Sequence, residues 1–302
     1  MTARFYTSPQ SFKQALEQRL RTAAGDGAGL VRRRQLLVFD RFLARVVAIL
    51  GDAALLKGGL VLELRLERAR TTKDIDLRVI GSPETVLTKL QEAGRKDLGD
   101  FMTFEVTPDA EHPTIQNDGM QYEGLRFRAE CRLAGKLYGQ RFGVDVAFGD
   151  PIVGDPATVT ADDVLEFAGI VPPVLQLYPI ETHIAEKLHA YTMPRARPNT
   201  RVKDLPDIAL LATTGSLEAA RLRAALESTF TFRATHPLPS SLPDPPANWL
   251  TPYVEMAREN ELAWATLEQV TIAAGTFLNP VLAGKGGVWR PAAWAWNSSP
   301  NN

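Results

Sequence analysis

The sequence predicts an α/β (α+β) protein in which a sheet domain is followed by a helical domain. Three observations carry that assignment. Residues 101–148 alternate apolar and polar in three short runs separated by glycines, the period of half-buried strands. The segments ahead of them, and those after Ile180, repeat their apolar residues at the helical period of about 3.6. Between the two regimes lies a proline-marked stretch, "GDPATVTADD" to "VPPVLQLYPIE", which reads as a link or wrap with no core of its own. At 302 residues the chain is long enough for two modest cores, divided here as 1–178 and 179–302.

Taken in order, residues 9–23 and 33–50 read as helices. In the second, Leu36, Leu37, Phe39, Leu43, Val46, Val47 and Leu50 keep near one face. "ALLKGG" is a short strand running into a glycine turn, and "LVLELRLE" is the helix that follows. Ser82 is placed to cap a helix over 83–95, with Pro83 at its first position. "FMTFEVT", "LRFRAECRLAG" and "RFGVDVAFG" are the strands. Helices are expected over 180–193, 204–214, 216–229 and 249–278. "HPLPSSLPDPPANW" is a loop, because proline denies it both helix and sheet bonds. The tail "AAWAWNSSPNN" is expected to fray after its tryptophans.

Composition narrows the function. Hydrophobic residues are 45% and charged residues 23% of the chain, with a formal net charge of −1, so any nucleic-acid contact must come from a local basic patch. Cys131 is the single cysteine, which rules out an intrachain disulfide and cysteine-rich zinc sites. His112, His183, His189 and His236 are scattered. No apolar run reaches the roughly 18 residues of a membrane span, and the N-terminus lacks the layout of a secretory signal. The expected location is the cytoplasm.

The chemistry concentrates in "LLKGGLVLELRLERARTTKDIDLRV", residues 55–79. Alternate strand residues share a face, so Asp74 and Asp76 project together about 6.5–7 Å apart at Cα, while Ile75 and Leu77 turn inward. Two like carboxylates on one face repel unless a cation lies between them, and hard oxygen ligands suit magnesium. "GVDVAF" offers Asp145 as a third carboxylate, from a neighbouring strand. Ahead of the pair, Lys57-Gly58-Gly59 forms a strand-to-helix turn whose free N–H groups can cradle phosphate. Arg65, Arg68, Arg70 and Lys73 lie between turn and carboxylates. That sequence of parts suits a nucleoside triphosphate with magnesium. Taken singly, the glycines read first as a plain helix start, and Asp-x-Asp as a solvated turn or edge strand.

These residues resemble the AbiEii/AbiGii-type nucleotidyltransferase toxins, a family of the polymerase-beta-like nucleotidyltransferase superfamily. The match runs through Gly58-Gly59, Leu62, Arg65, Arg70, Thr72 and "DIDL" at 74–77. A second match lies downstream, in "YPIETHIAEKLHAY" at 178–191 and "RVKDLPDIALL" at 201–211. Two departures stand out. Gly58-Gly59 replaces the Gly-Ser of many nucleotidyltransferases, though two glycines are usual in this family, and Pro206 replaces an aromatic residue.

The resemblance implies a polymerase-beta-like sheet domain, with the helical half completing the active-site cleft. It implies that Lys187 and Asp204 are required, with Lys187 near the triphosphate; by spacing alone the two are equally an interhelix salt bridge. Asp74, Asp76 and Asp145 would hold two magnesium ions, with Asp145 doubling as general base. Lys57, Gly58, Gly59, Arg65, Arg70, Thr72, Lys187 and Arg201 would contact the nucleotide. Arg195, Arg197, Arg201 and Lys203 make a basic loop that suits an RNA backbone and, on sequence alone, also reads as a solvated surface loop. The implied protein is the toxin of a toxin–antitoxin pair, moving a nucleotide onto the tRNA acceptor end and partnered by a cognate antitoxin, with no membrane role. Three other readings stay open: a small-molecule acceptor, modification of a protein hydroxyl such as its own Thr72, and a binding module with a decayed site.

Overall fold

A computed structural model describes residues 5–66, 72–115, 124–196 and 198–297. Two helices open the chain, α1 (Pro9–Ala23) and α2 (Gly27–Leu50). Ser8 caps α1 through the backbone N–H of Ser11, and Asp26 caps α2 through that of Gly29. The cap at Asp26 starts α2 at Gly27, six residues before position 33, where periodicity alone placed its beginning. Inside α2, Arg41 and Arg45 are buried and both bond the buried carboxylate of Asp100, at 2.8 Å and 2.5 Å. Mutual pairing is what lets such charges leave water.

The sheet contains β1 (Ala54–Lys57), β2 (Asp74–Val79), β3 (Met102–Pro108), β4 (Gly124–Leu133), β5 (Lys136–Leu137), β6 (Phe142–Ala147), β7 (Ala157–Thr160) and β8 (Val174–Leu177). Its spatial order is β3-β4-β6-β2-β1-β8-β7, with β5 paired to β4. The centre is mixed: β2 runs antiparallel to β1 and parallel to β6. Helix α3 (Gly58–Arg65) follows β1 directly, and α4 (Pro83–Arg95) follows β2, capped by Ser82 as its sequence predicts.

The proline-marked stretch departs from expectation. It supplies β7 and β8, and β8 pairs parallel with β1 through Leu56 and Leu177. Both strands are four residues long, and prolines stand just before each, at Pro156 and Pro173, positions where a strand loses no ladder donor. The partner of β8 is β1, more than a hundred residues earlier, and β7 pairs only with β8, so no local pattern announces them.

Beyond the sheet come α5 (Ile180–Thr192), α6 (Asp204–Thr213), α7 (Ala219–Arg233), α8 (Leu250–Glu259) and α9 (Leu267–Leu282). The single helix expected over 249–278 is two. Thr266 and Gln269 form a capping box that starts α9 afresh, and Glu261 ahead of it takes a positive φ of 49°. A closing hairpin of β9 (Val288–Arg290) and β10 (Ala295–Asn297) follows. Its tryptophans are tied down: Trp289 Nε1 donates to the Ala212 carbonyl and Trp296 Nε1 to that of Phe277, each at 2.8 Å. The fraying expected after them falls on 298–302, outside the described residues.

Apolar packing gathers into two clusters, one between α1, α2, α4 and the sheet, the other among α5–α9 and Trp289. Helix α3 joins them. Leu60 and Val61 sit in the first cluster and Leu62 in the second. The turn that opens α3 therefore lies where the two halves meet. Among the described residues, no helix is long and apolar enough to cross a membrane.

Candidate active site

One rung of the sheet carries four charged residues in line. Lys57 on β1 is in register with Asp76 on β2, Asp76 with Asp145 on β6, and Asp145 with Arg126 on β4. Register partners point to the same face, so the row reads cation, acid, acid, cation. Neighbouring strands lie about 4.8 Å apart, which places the two carboxylates side by side. Asp74, two residues before Asp76, is exposed and accepts from the Gly143 N–H at 3.1 Å.

Gly58 explains itself by geometry. Its φ is +71°, and a Cβ built there would lie 2.8 Å from the Asp76 Cβ and closer still to its carboxylate. Gly58→Ala must therefore rotate the Asp76 carboxylate away and strain the backbone as well. The expected outcome is roughly a tenfold fall in turnover, larger than the accompanying loss of melting temperature, because the displaced group belongs to the site. Steady-state kinetics beside a thermal melt check it.

Burial, and then the neighbouring Asp145, raise the pKa of Asp76; Lys57, Lys187 and Lys203 pull the other way without cancelling them. The Lys57 ammonium is committed to Glu186 at 2.7 Å and Asp150 at 3.5 Å. Glu186 also takes the Tyr178 hydroxyl at 2.8 Å and faces Arg233 at 3.5 Å. Burial works to raise its pKa, but Lys57 and Arg233 hold it ionised, below the usual carboxylate range.

The helical half supplies the opposite wall. Lys187 on α5 points to Asp207 at 2.7 Å and to Asp204 at 3.5 Å, both fully buried in the first turn of α6. A helix N-terminus favours carboxylates there. Asp204 also holds Arg201, at 2.6 Å and 3.2 Å. Two buried acids thus hold two cations facing the cleft.

The cleft between the halves has a volume of about 260 Å³. Among the described residues its lining includes seven basic side chains (Lys57, Arg126, Lys187, Arg195, Arg201, Lys203 and Arg233) against three carboxylates, Asp76, Asp145 and Glu186. Gly58 and Gly59 line it too. Not every predicted residue reaches it. Arg65 turns away to the Tyr178 carbonyl at 3.3 Å. Thr72 is buried, its hydroxyl donating to the Asp74 carbonyl at 3.2 Å. Arg68, Arg70 and Arg197 lie outside the described residues.

Several residues of the site escaped the sequence reading. Arg126 grips both oxygens of Asp145; the alternation of Arg126, Arg128 and Glu130 along β4 was the available signal. Asp207 was visible in the second motif but not as the nearer partner of Lys187. His183 lines the cleft with neither ring nitrogen hydrogen-bonded. Burial and the nearby Lys187 push its pKa down to about 3, so it is neutral.

The donor set suits a hard divalent cation. Asp76 and Asp145 are adjacent oxygen donors whose mutual repulsion a metal would relieve. Among the described residues, no three His, Cys, Asp or Glu side chains gather into one nest, and both oxygens of Asp145 accept from Arg126.

A mixed sheet with paired aspartates beside a glycine turn and a basic opposite wall fits the nucleotidyltransferase class that the sequence resemblance implies. Comparison with family models narrows the class: the model described as nucleotidyl transferase AbiEii toxin, type IV toxin–antitoxin system, matches residues 41–270. The chain belongs to the AbiEii nucleotidyltransferase toxin family, and membership implies an antitoxin partner. No curated protein matches the sequence. Among solved structures, MenT4, a nucleotidyltransferase toxin from Mycobacterium tuberculosis H37Rv, is similar over 70% of this chain and 68% of its own, at 15% identity and a TM-score of 0.49. JHP933 from Helicobacter pylori is similar over 83% of this chain and 92% of its own, at 14% identity and a TM-score of 0.44.

Proposed function

We propose that this toxin transfers a nucleoside monophosphate from a nucleoside triphosphate to the 3′ acceptor end of tRNA, in a magnesium-dependent reaction that blocks translation. The observation that carries it is the pairing of Asp76 and Asp145 on one rung, under the Gly58 turn and facing the basic wall of Lys187, Arg201 and Lys203. Magnesium held by Asp76 and Asp145, with Asp74 beside them, would supply charge neutralisation at the α-phosphate. The other roles fall to the chain's own residues. Gly58 and Gly59 present backbone N–H groups to phosphate. Lys187 and Arg201, held by Asp207 and Asp204, offset the charge that gathers on the leaving pyrophosphate. The acceptor oxygen bonds the α-phosphorus as the bond to the β-phosphate breaks, and its proton passes to Asp145. Arg65 and Thr72 act indirectly, through the segments that hold the glycine turn and the start of β2.

The excess of basic side chains favours a polyanionic acceptor over a small molecule, with Arg195 placed for the RNA backbone. The buried, bonded hydroxyl of Thr72 disfavours self-modification there. The test is incubation with each labelled nucleoside triphosphate, magnesium and total RNA, followed by locating the label. Label at tRNA 3′ ends is expected. Label on a protein, or none on RNA with any nucleotide, overturns the reading.

A further inference from the structure

Asp145 is not free to meet a ligand. Arg126 Nε and Nη2 donate to its two oxygens, each at 2.8 Å, across register partners on β4 and β6. A bidentate, charge-assisted pair fixes the carboxylate's orientation and occupies both of its oxygens. The charged rung supplies the reason for a cation here. Two like acids stand adjacent, and the ammonium at the other end is turned to Glu186 at 2.7 Å. Arg126 therefore carries the compensation for Asp145, and Asp109 and Asp74 add to the negative field around it. Its side chain is still 33% exposed, so it has room to leave.

We propose that Arg126 is the resident counter-cation of Asp145 and competes with a divalent metal ion for that carboxylate. The inference rests on the metal-dependent reading above. Linkage makes the consequence quantitative: whatever Arg126 gains from Asp145 is subtracted from the metal's affinity in the nucleotide-free protein. The metal then loads best together with the triphosphate, whose oxygens accept the guanidinium donors that Asp145 releases. Arg126 is a positioning residue in this scheme. It keeps Asp145 aimed while repressing metal binding without nucleotide.

Manganese titration of the nucleotide-free protein, followed by water-proton relaxation, tests it. Arg126→Gln should bind manganese about tenfold tighter than the unaltered protein, the scale of losing one competing charged hydrogen-bond pair. Arg126→Lys, which keeps a point charge without the fork, should fall between. The double variant with Asp145→Asn should show none of the gain. Equal or weaker binding by Arg126→Gln, with Asp145→Asn weakened as expected of a ligand, overturns the role of Arg126 alone. Unchanged binding by Asp145→Asn removes Asp145 from the metal site and takes both readings down. If Arg126→Gln does not fold, Arg126→Lys decides by the same comparison with the unaltered protein.

Discussion

Asp76→Ala is expected to cut nucleotidyl transfer by about 10³-fold or more, the loss seen when a group that acts in the transition state is removed, and to abolish toxicity. Its fold should survive. Asp76 sits at the centre of the charged rung, between Lys57 and Asp145, and Gly58 has no side chain so that this carboxylate can approach. Burial and Asp145 raise its pKa in the folded, metal-free protein. Between its ordinary value and that raised value the native state binds more protons than the unfolded state, so stability falls as pH rises through the window. Above that window the ionised carboxylate is therefore a burden, and replacing it there should leave the melting temperature unchanged or higher. A variant that melts normally and still labels its acceptor at the ordinary rate would falsify the carboxylate mechanism. Asp76→Asn separates charge from shape: it keeps the packing against Gly58 and should be as inactive as the alanine variant.

Local pattern was enough to find the parts that pack locally. The alternation in "DIDL" and "GVDVAF" placed both acids opposite buried aliphatic residues, and Ser82-Pro83 marked the start of α4, because faces and caps are set within a few residues. What the pattern lacked was register. That Lys57, Asp76, Asp145 and Arg126 share one rung depends on three strand pairings between residues up to 69 apart, and nothing within any one strand encodes it. The same blindness hid β8, whose short run gains its meaning only beside β1, and with it β7, which pairs on β8. Arg65 fails for a different reason. The resemblance implied a nucleotide contact for it, but the last turn of α3 aims it at the Tyr178 carbonyl. The basic wall was read from motif resemblance, and its working geometry, two buried acids each holding a cation, rests on side chains in the first turn of α6.

Lys187→Ala is expected to lower transfer by about 10²-fold or more, through weaker triphosphate binding and weaker stabilisation of charge in the transition state. The residue tests whether the helical half belongs to the active site. The sheet's own cations in the cleft are held by carboxylates, Lys57 by Glu186 and Arg126 by Asp145, and Lys187 comes from α5 to line the same cleft, its ammonium set by Asp207 at 2.7 Å and Asp204 at 3.5 Å. Both acids are fully buried, so the substitution also leaves Asp207 without its nearest cation and should lower the melting temperature. A fall in stability alone therefore does not distinguish a catalytic lysine from an interhelix strut. Turnover does, measured well below the variant's melting point. A strut predicts near-normal kinetics whenever the protein is folded; a phosphate ligand predicts the full loss at every temperature. Lys187→Arg sharpens the contrast. It restores a partner for Asp207 and with it most of the stability, but a planar fork does not replace a point charge aimed into the cleft. Recovery of melting temperature without recovery of rate places the lysine in the reaction, whereas recovery of both together, or normal turnover in the folded alanine variant, confines the active site to the sheet.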